Sequence, residues 1–124
     1  MEISKLRQQL WQLNRERARL QGELCRPGRM VRGTITEVYK RCSNRNCRCW
    51  KEDKRHGPYL YLVEPVGSGK RRCRHVRRGD WEKVRRLVKE YIKFQKKMAR
   101  IRKINNEIFQ ILKLIREENI EEYE

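Results

Sequence analysis

The amino-acid sequence predicts an α+β fold: a small three-stranded antiparallel module flanked by an N-terminal helix and a long C-terminal helix that forms a coiled coil. Three observations lead there. Both ends carry apolar residues at alternating three- and four-residue spacing. The centre carries short aromatic and β-branched runs separated by Gly and Pro, and three cysteines crowd one of its loops. At 124 residues the chain has room for one small domain with helical extensions. It is 37% hydrophobic against 40% charged, too little for a thick core, so the module calls for a staple or a second copy. The expected segments are 1–25, 26–78 and 79–124.

In the first segment, Ile3, Leu6, Leu10, Leu13, Leu20 and Leu24 form a seam, with Arg17 at its one missing step. This helix is expected to stop before Pro27-Gly28, which cannot continue it. In the centre, Val31, Ile35 and Tyr39 are expected on one face of a first strand interrupted by Gly33. Tyr59 to Val63 reads as a second strand, with both tyrosines expected in the core. Glu64 to Gly69 reads as a turn and Arg71 to Arg77 as a third strand.

The last segment is expected to start at an Asp80 N-cap and stay helical to about residue 118. Val84, Leu87, Tyr91, Phe94, Met98, Ile101, Asn105, Ile108, Leu112 and Ile115 form its seam, flanked by Val88, Ile104, Phe109 and Ile111. At about 1.5 Å per residue this helix is roughly 55–60 Å long and the first only about 33 Å. The stretch left uncovered, with Ile101, Asn105, Ile108, Leu112 and Ile115, is expected to pair with another copy in a homodimer whose register Asn105 sets.

Cys42, Cys47 and Cys49 form a C-x4-C-x-C run. The opening residues lack a secretion signal and the five cysteines are an odd number, which favours a reducing, cytoplasmic setting and metal over disulfide. Zinc takes four Cys or His ligands. His56 is the nearest fourth candidate, and Cys73, reaching back from the third strand, is the alternative. Arg41, Arg45, Arg48 and Arg55 surround the thiols and favour their ionised form. Gly57-Pro58 is expected to turn the chain sharply after His56.

The runs Arg32-Gly33-Thr34-Ile35, Tyr39-Lys40-Arg41-Cys42, Cys47-Arg48-Cys49 and His56-Gly57-Pro58-Tyr59-Leu60-Tyr61-Leu62 resemble a family of small uncharacterised prokaryotic proteins grouped only as a domain of unknown function. The resemblance implies a zinc-ribbon-like centre with a long C-terminal helix. It also implies His56 rather than Cys73 as fourth ligand. It leaves the N-terminal helix unmatched and brings no activity.

Charge supplies the functional expectation. The chain carries 33 Lys+Arg against 16 Asp+Glu, a net +17, and residues 26–78 alone hold sixteen bases and four acids. Such a surface attracts a polyanion, and arginines pair phosphate oxygens bidentately. The candidate nucleic-acid contacts are Arg45, Arg48, Lys70, Arg71, Arg72, Arg74, Arg77 and Arg78, with Lys93 and Lys97 on an outward face of the long helix. Little acid stands near the arginine-rich strand, so hairpin and helix are expected to clamp a duplex, DNA slightly before RNA. Exposed Tyr or Trp would suit unpaired bases instead.

Other classes are disfavoured. No run of about 18 apolar residues exists to cross a membrane. No carboxylate pair stands at catalytic spacing, Gly67-Ser68-Gly69-Lys70 lacks the context of a phosphate loop, and a Cys3His zinc has no open position. The expectation is a non-enzymatic, dimeric nucleic-acid-binding regulator or mobile-element accessory, without small-molecule substrate or membrane. The alternative is a coiled-coil module for protein–protein assembly.

Overall fold

A computed structural model describes residues 2–123; Met1 and Glu124, the outermost residues of the segments 1–25 and 79–124, lie outside the described residues. The elements are α1 (Ile3–Leu24), β1 (Thr34–Lys40), a single turn α2 (Arg48–Lys51), β2 (His56–Pro65), β3 (Arg71–Val76) and α3 (Trp81–Glu118). A 3-10 turn, Arg78–Asp80, leads into α3. The fold class is therefore α+β, as its patterning indicates. Among the described residues no helix is long and apolar enough to cross a membrane. The chain divides into two compact units, Met1–Gly28 with Lys93–Glu124, and Arg29–Ile92. The expected boundary 25/26 follows the end of α1, whereas 78/79 falls within the 3-10 turn, and α3 contributes to both units.

In the Arg29–Ile92 unit the strands run antiparallel in the order β1-β2-β3. Ile35 lies opposite Leu62, and Leu60 opposite Val76, so these residues share one face of the sheet. Leu60 (0% exposed), Leu62 and Val76 form the core with Val88 of α3, joined by Val31, Ile35, Trp81 and Val84. Hydrogen bonds tie helix to sheet module, among them Val31 N–H to the Leu87 carbonyl at 3.0 Å, Trp81 Nε1 to the Val76 carbonyl at 3.0 Å, and Arg85 to Glu37 of β1. The Asp80 carboxylate, expected as a cap, meets Arg77 at 3.3 Å.

Strand alternation corrects several expectations. Tyr59 and Tyr61 alternate with Leu60 and Leu62 along β2, so they belong to the face away from the core, with His75 opposite Tyr61. Tyr39 is exposed rather than sharing the face of Ile35, because a bulge between Val38 and Lys40 breaks the register. β2 begins at His56, well before Tyr59. Gly57-Pro58, joined by a cis peptide bond, is therefore part of the central strand and not a turn. The bulge explains why a proline is tolerated there. Lys40 pairs with His56 and Val38 with Tyr59, so Gly57 and Pro58 together oppose Tyr39 and Pro58 lies within the bulge, where the ladder is interrupted. The turn itself is Val66 to Lys70, closed by Val66 N–H to the Lys70 carbonyl at 3.0 Å.

In the other unit, α1 buries the face its seam foretold: Leu6 and Leu20 are buried, and Ile3, Leu10, Leu13, Arg17 and Leu24 are partly covered. It runs antiparallel to the second half of α3. Glu23 meets Lys97 at 3.0 Å, Glu16 takes a two-pronged contact from Arg100 at 2.8 Å, and Arg17 Nη1 donates to Asn105 Oδ1 at 3.1 Å. The Arg100 guanidinium holds the Glu16 carboxyl below its ordinary value. The seam's two polar interruptions, Arg17 and Asn105, thus satisfy each other within one chain. Asn105 does not lie in an uncovered stretch, because α1 covers the end of α3 that the length arithmetic left bare.

The buried line on α3 also shifts. Ile104 (0% exposed) and Ile111 hold the centre, while Ile101, Asn105, Ile108 and Ile115 are partly covered and Leu112 is exposed. A strict seven-residue repeat drifts around a helix of 3.6 residues per turn, so the flanking isoleucines replace the nominal seam. Met98, Phe109 (62% exposed) and Leu112 remain as an apolar line that α1 leaves open.

Candidate metal centre

The loop between β1 and β2 brings four side chains together. Cys42 follows β1, Cys47 precedes α2, Cys49 sits within it, and His56 opens β2. One ligand atom from each lies within 4.8 Å of all the others, and Cys49 is 2% exposed. Cys42 Sγ is 3.5 Å from Cys49 Sγ, and Cys47 Sγ is 3.3 Å from His56 Nε2. These spacings exceed any disulfide bond, and all five cysteines are free. They approach the edge of a tetrahedron, about 3.8 Å for two sulfurs each about 2.3 Å from a central ion. The donor set, three sulfurs and one imidazole, fits a soft or borderline metal ion. Cys73 is exposed on β3 outside this group, so the side chain that joins the three cysteines is His56.

The surroundings hold the ligands in place. The Cys42 backbone N–H donates to Cys49 Sγ at 3.4 Å. Trp50 Nε1 donates to the Cys42 carbonyl at 2.9 Å, and the Trp50 ring lies under Arg41 at 4.8 Å and Arg45 at 5.4 Å. This bracing role of Trp50 was not foreseen; its position beside Cys49 was the available signal. Arg41 also pairs with Asp53 beyond α2, clipping the loop's two ends. Gly57 has φ +134, and a Cβ there would come within 2.8 Å of the Val38 carbonyl oxygen, so only glycine lets the chain pass the bulge directly after His56.

The thiols differ in acidity. Hydrogen bonds from the Cys49 backbone N–H, then from Cys42 and His56, bring the Cys47 thiol down to about 6. Burial first, and then the thiols of Cys49 and Cys47, push Cys42 up to about 11. One thiolate forms readily here and a second is resisted, a conflict that a bound cation resolves.

The cationic candidates divide. Arg72 and Arg74 both turn to Glu64, at 3.5 and 3.3 Å, and Glu64 is only 19% exposed at its side chain. The arginine strand therefore does have acid beside it, contrary to expectation, because Glu64 pairs across from Arg72 on the same face. Arg48 pairs with Glu52 at 3.3 Å, and Arg77 with Asp80. Arg78 lies over the Trp81 ring at 5.3 Å. Lys70 and Arg71 are exposed at the hairpin end. Lys93 is exposed, but Lys97 turns to Glu23 of α1 and so leaves the outward face. The gap expected to clamp a duplex is filled, since the first turns of α3 pack directly on the core face of the sheet.

A short antiparallel sheet with a Cys3His cluster at its β1–β2 loop defines a small α+β protein with a candidate metal centre. The chain belongs to the family described as a domain of unknown function (DUF6788), whose model matches residues 3–86. That match takes in α1, which the motif resemblance left unmatched, and ends within the first turns of α3. No curated protein and no solved structure matches the chain.

Proposed function

We propose that the protein binds nucleic acid, with zinc as the ion that clips its central module and a second copy completing its helical unit. One observation carries the reading. Residues 26–78 hold sixteen bases against four acids, and Glu37, Glu52, Asp53 and Glu64 are each already engaged by arginines of the protein itself. Apart from Arg77, which turns to Asp80 just beyond the segment, most of the excess positive charge has no acid of its own segment left to pair with and favours phosphate. With four protein ligands the metal has no open position, which supports a structural and non-enzymatic role. Binding is expected to follow the exposed surface around Arg45, Lys70 and Arg71 rather than a helix–hairpin cleft.

The test is a salt titration with duplex, single-stranded and structured RNA probes. If about six phosphates are neutralised, the logarithm of the duplex association constant should fall with a slope of about −5 against the logarithm of salt. A flat, weak response to every probe would exclude the reading. Metal analysis should return one zinc per chain, and less than half an equivalent would reject zinc as the staple.

The open apolar line of Met98, Phe109 and Leu112 supports self-association, since two helices alone leave it in water. Sedimentation should give a mass of twice 15.3 kDa. The double variant Phe109→Glu, Leu112→Glu should sediment as a single chain. A wild-type monomer at high concentration would remove the dimer from the proposal.

A further inference from the structure

Beside the metal cluster, on the sheet face away from the core, lies a cavity of about 270 Å³ lined by Lys40, Arg41, Tyr59, Tyr61 and His75 together with two metal-cluster residues, Cys42 and His56. Its aromatic wall is built by strand pairing. Tyr59 and Tyr61 stand side by side on β2, and His75 on β3 meets them at ring-centroid distances of 6.1 and 5.5 Å, edge-on to Tyr61. Lys40 spans the same rings, with its ammonium 4.6 Å from the Tyr61 centroid and 5.7 Å from that of Tyr59, and it hydrogen-bonds the Tyr61 hydroxyl. The half-buried tyrosine rings are thus met by His75 and by an exposed lysine, Lys40, on the face away from the core.

Two ligand classes suit aromatic faces: cations and flat π-systems. Charge decides between them. A cation would enter a segment carrying net +12 (sixteen bases, four acids) and displace or crowd Lys40, so it is repelled. A flat ring attached to an anion is attracted twice, by stacking and by charge. Arg41 adds a second pointer. Arg41 lines the cavity, and its Nε is the one buried side-chain nitrogen or oxygen without a hydrogen-bond partner among the described residues. A buried donor of this kind gains from any acceptor that reaches it. The volume, below the roughly 300–1,000 Å³ of drug-sized pockets, suits a single ring.

We propose that this cup receives one unpaired base of a single-stranded nucleic acid, stacked on Tyr61 and Tyr59, with Lys40 swinging outward to the adjoining phosphate and Arg41 donating to the nucleotide. The proposal rests on the nucleic-acid reading and sharpens it: the strand recognised is unpaired, because a base held within a duplex cannot enter the cup. The neighbouring metal cluster fixes the floor on which Lys40 and Arg41 are mounted.

The test uses the full-length, metal-loaded protein with a short oligothymidylate, the matching oligouridylate and a duplex of equal length. Tyr61→Leu removes the stacking face, and Tyr61→Phe restores it without the hydroxyl. Single-strand binding should weaken about 5- to 150-fold in Tyr61→Leu and largely recover in Tyr61→Phe, while duplex binding stays as in the wild type. His75→Ala, an exposed position, should weaken single-strand binding in the same sense and serves if Tyr61→Leu loses its metal. Salt-dependent binding that none of these variants alters would overturn the cup and leave the nucleic-acid reading standing. Failure of the wild type to bind any of the probes would overturn both.

Discussion

Stripping the metal with a strong chelator is expected to melt the sheet. The Arg29–Ile92 unit buries four aliphatic side chains in its core, Leu60, Leu62, Val76 and Val88, which is little for a unit of that length. An ion held by the Cys42, Cys47, Cys49 and His56 cluster would join the end of β1, the α2 turn and the start of β2, so its loss would free three elements at once. Structural zinc in small modules is worth about 10–16 kcal/mol of apparent binding free energy, as much as or more than the roughly 6–12 kcal/mol that burying four aliphatic side chains supplies before chain entropy is deducted. Amide hydrogen exchange should show β1, β2 and β3 losing protection together on chelation and regaining it with one equivalent of zinc. Cys49→Ser should reproduce the chelated state, because that thiol is buried and also accepts the Cys42 backbone N–H. Strands that stay protected in excess chelator would show that the cluster is incidental to the fold.

Gly57→Ala is the second large effect expected. The new methyl would sit 2.8 Å from the Val38 carbonyl oxygen and 3.1 Å from the Tyr39 ring, at a φ of +134 that alanine avoids. A conformation of that kind costs a non-glycine residue about 1–3 kcal/mol before any clash is counted. The contacts that must yield are backbone on the bulge, so β1 and β2 separate where His56 is held. Changes that disturb a metal ligand's support lower affinity about 10- to 100-fold, and a competition assay with a coloured chelator should read a loss of that size or more. Gly67→Ala is the control, since a Cβ at Gly67 meets nothing within 4 Å despite its positive φ. Equal metal affinity in the two variants would show that the close passage at Gly57 is unimportant to the ligand.

Which features were legible in the sequence follows from the range of the forces involved. The α1 seam reads correctly to the residue because a single amphipathic face meeting a single partner obeys local periodicity. The grouping of Cys42, Cys47, Cys49 and His56 reads correctly because their spacing in the chain is short and local too. The α3 seam reads less well: its partner was taken to start from the wrong end, and only the fold shows that Arg17 and Asn105, both read as lone polar intruders, are partners 88 residues apart. Pairing of that kind leaves no mark in either helix alone. Tyr59 and Tyr61 were assigned to the core from strand propensity, which says that a residue suits a pleated surface but not which face it takes. The extension of β2 back to His56 was hidden by Gly57-Pro58, which read as a turn but form a bulge within the strand, opposite Tyr39. Glu64 shows the same limit. From sequence it begins a turn, whereas in the sheet it stands across from Arg72 and neutralises much of the strand thought to be unpaired.

The sheet order has one more consequence. With β2 in the middle, β1 and β3 each present an unpaired edge, the feature through which small sheets join to one another and aggregate. β3 guards its edge with Arg71, Arg72 and Arg74, and Arg77 follows directly, so a second β3 approaching alongside would set guanidinium against guanidinium. The guard depends on that charge staying unscreened. High salt or a saturating polyanion weakens the very repulsion that keeps the molecules dispersed, and the soluble range of the protein should narrow under both.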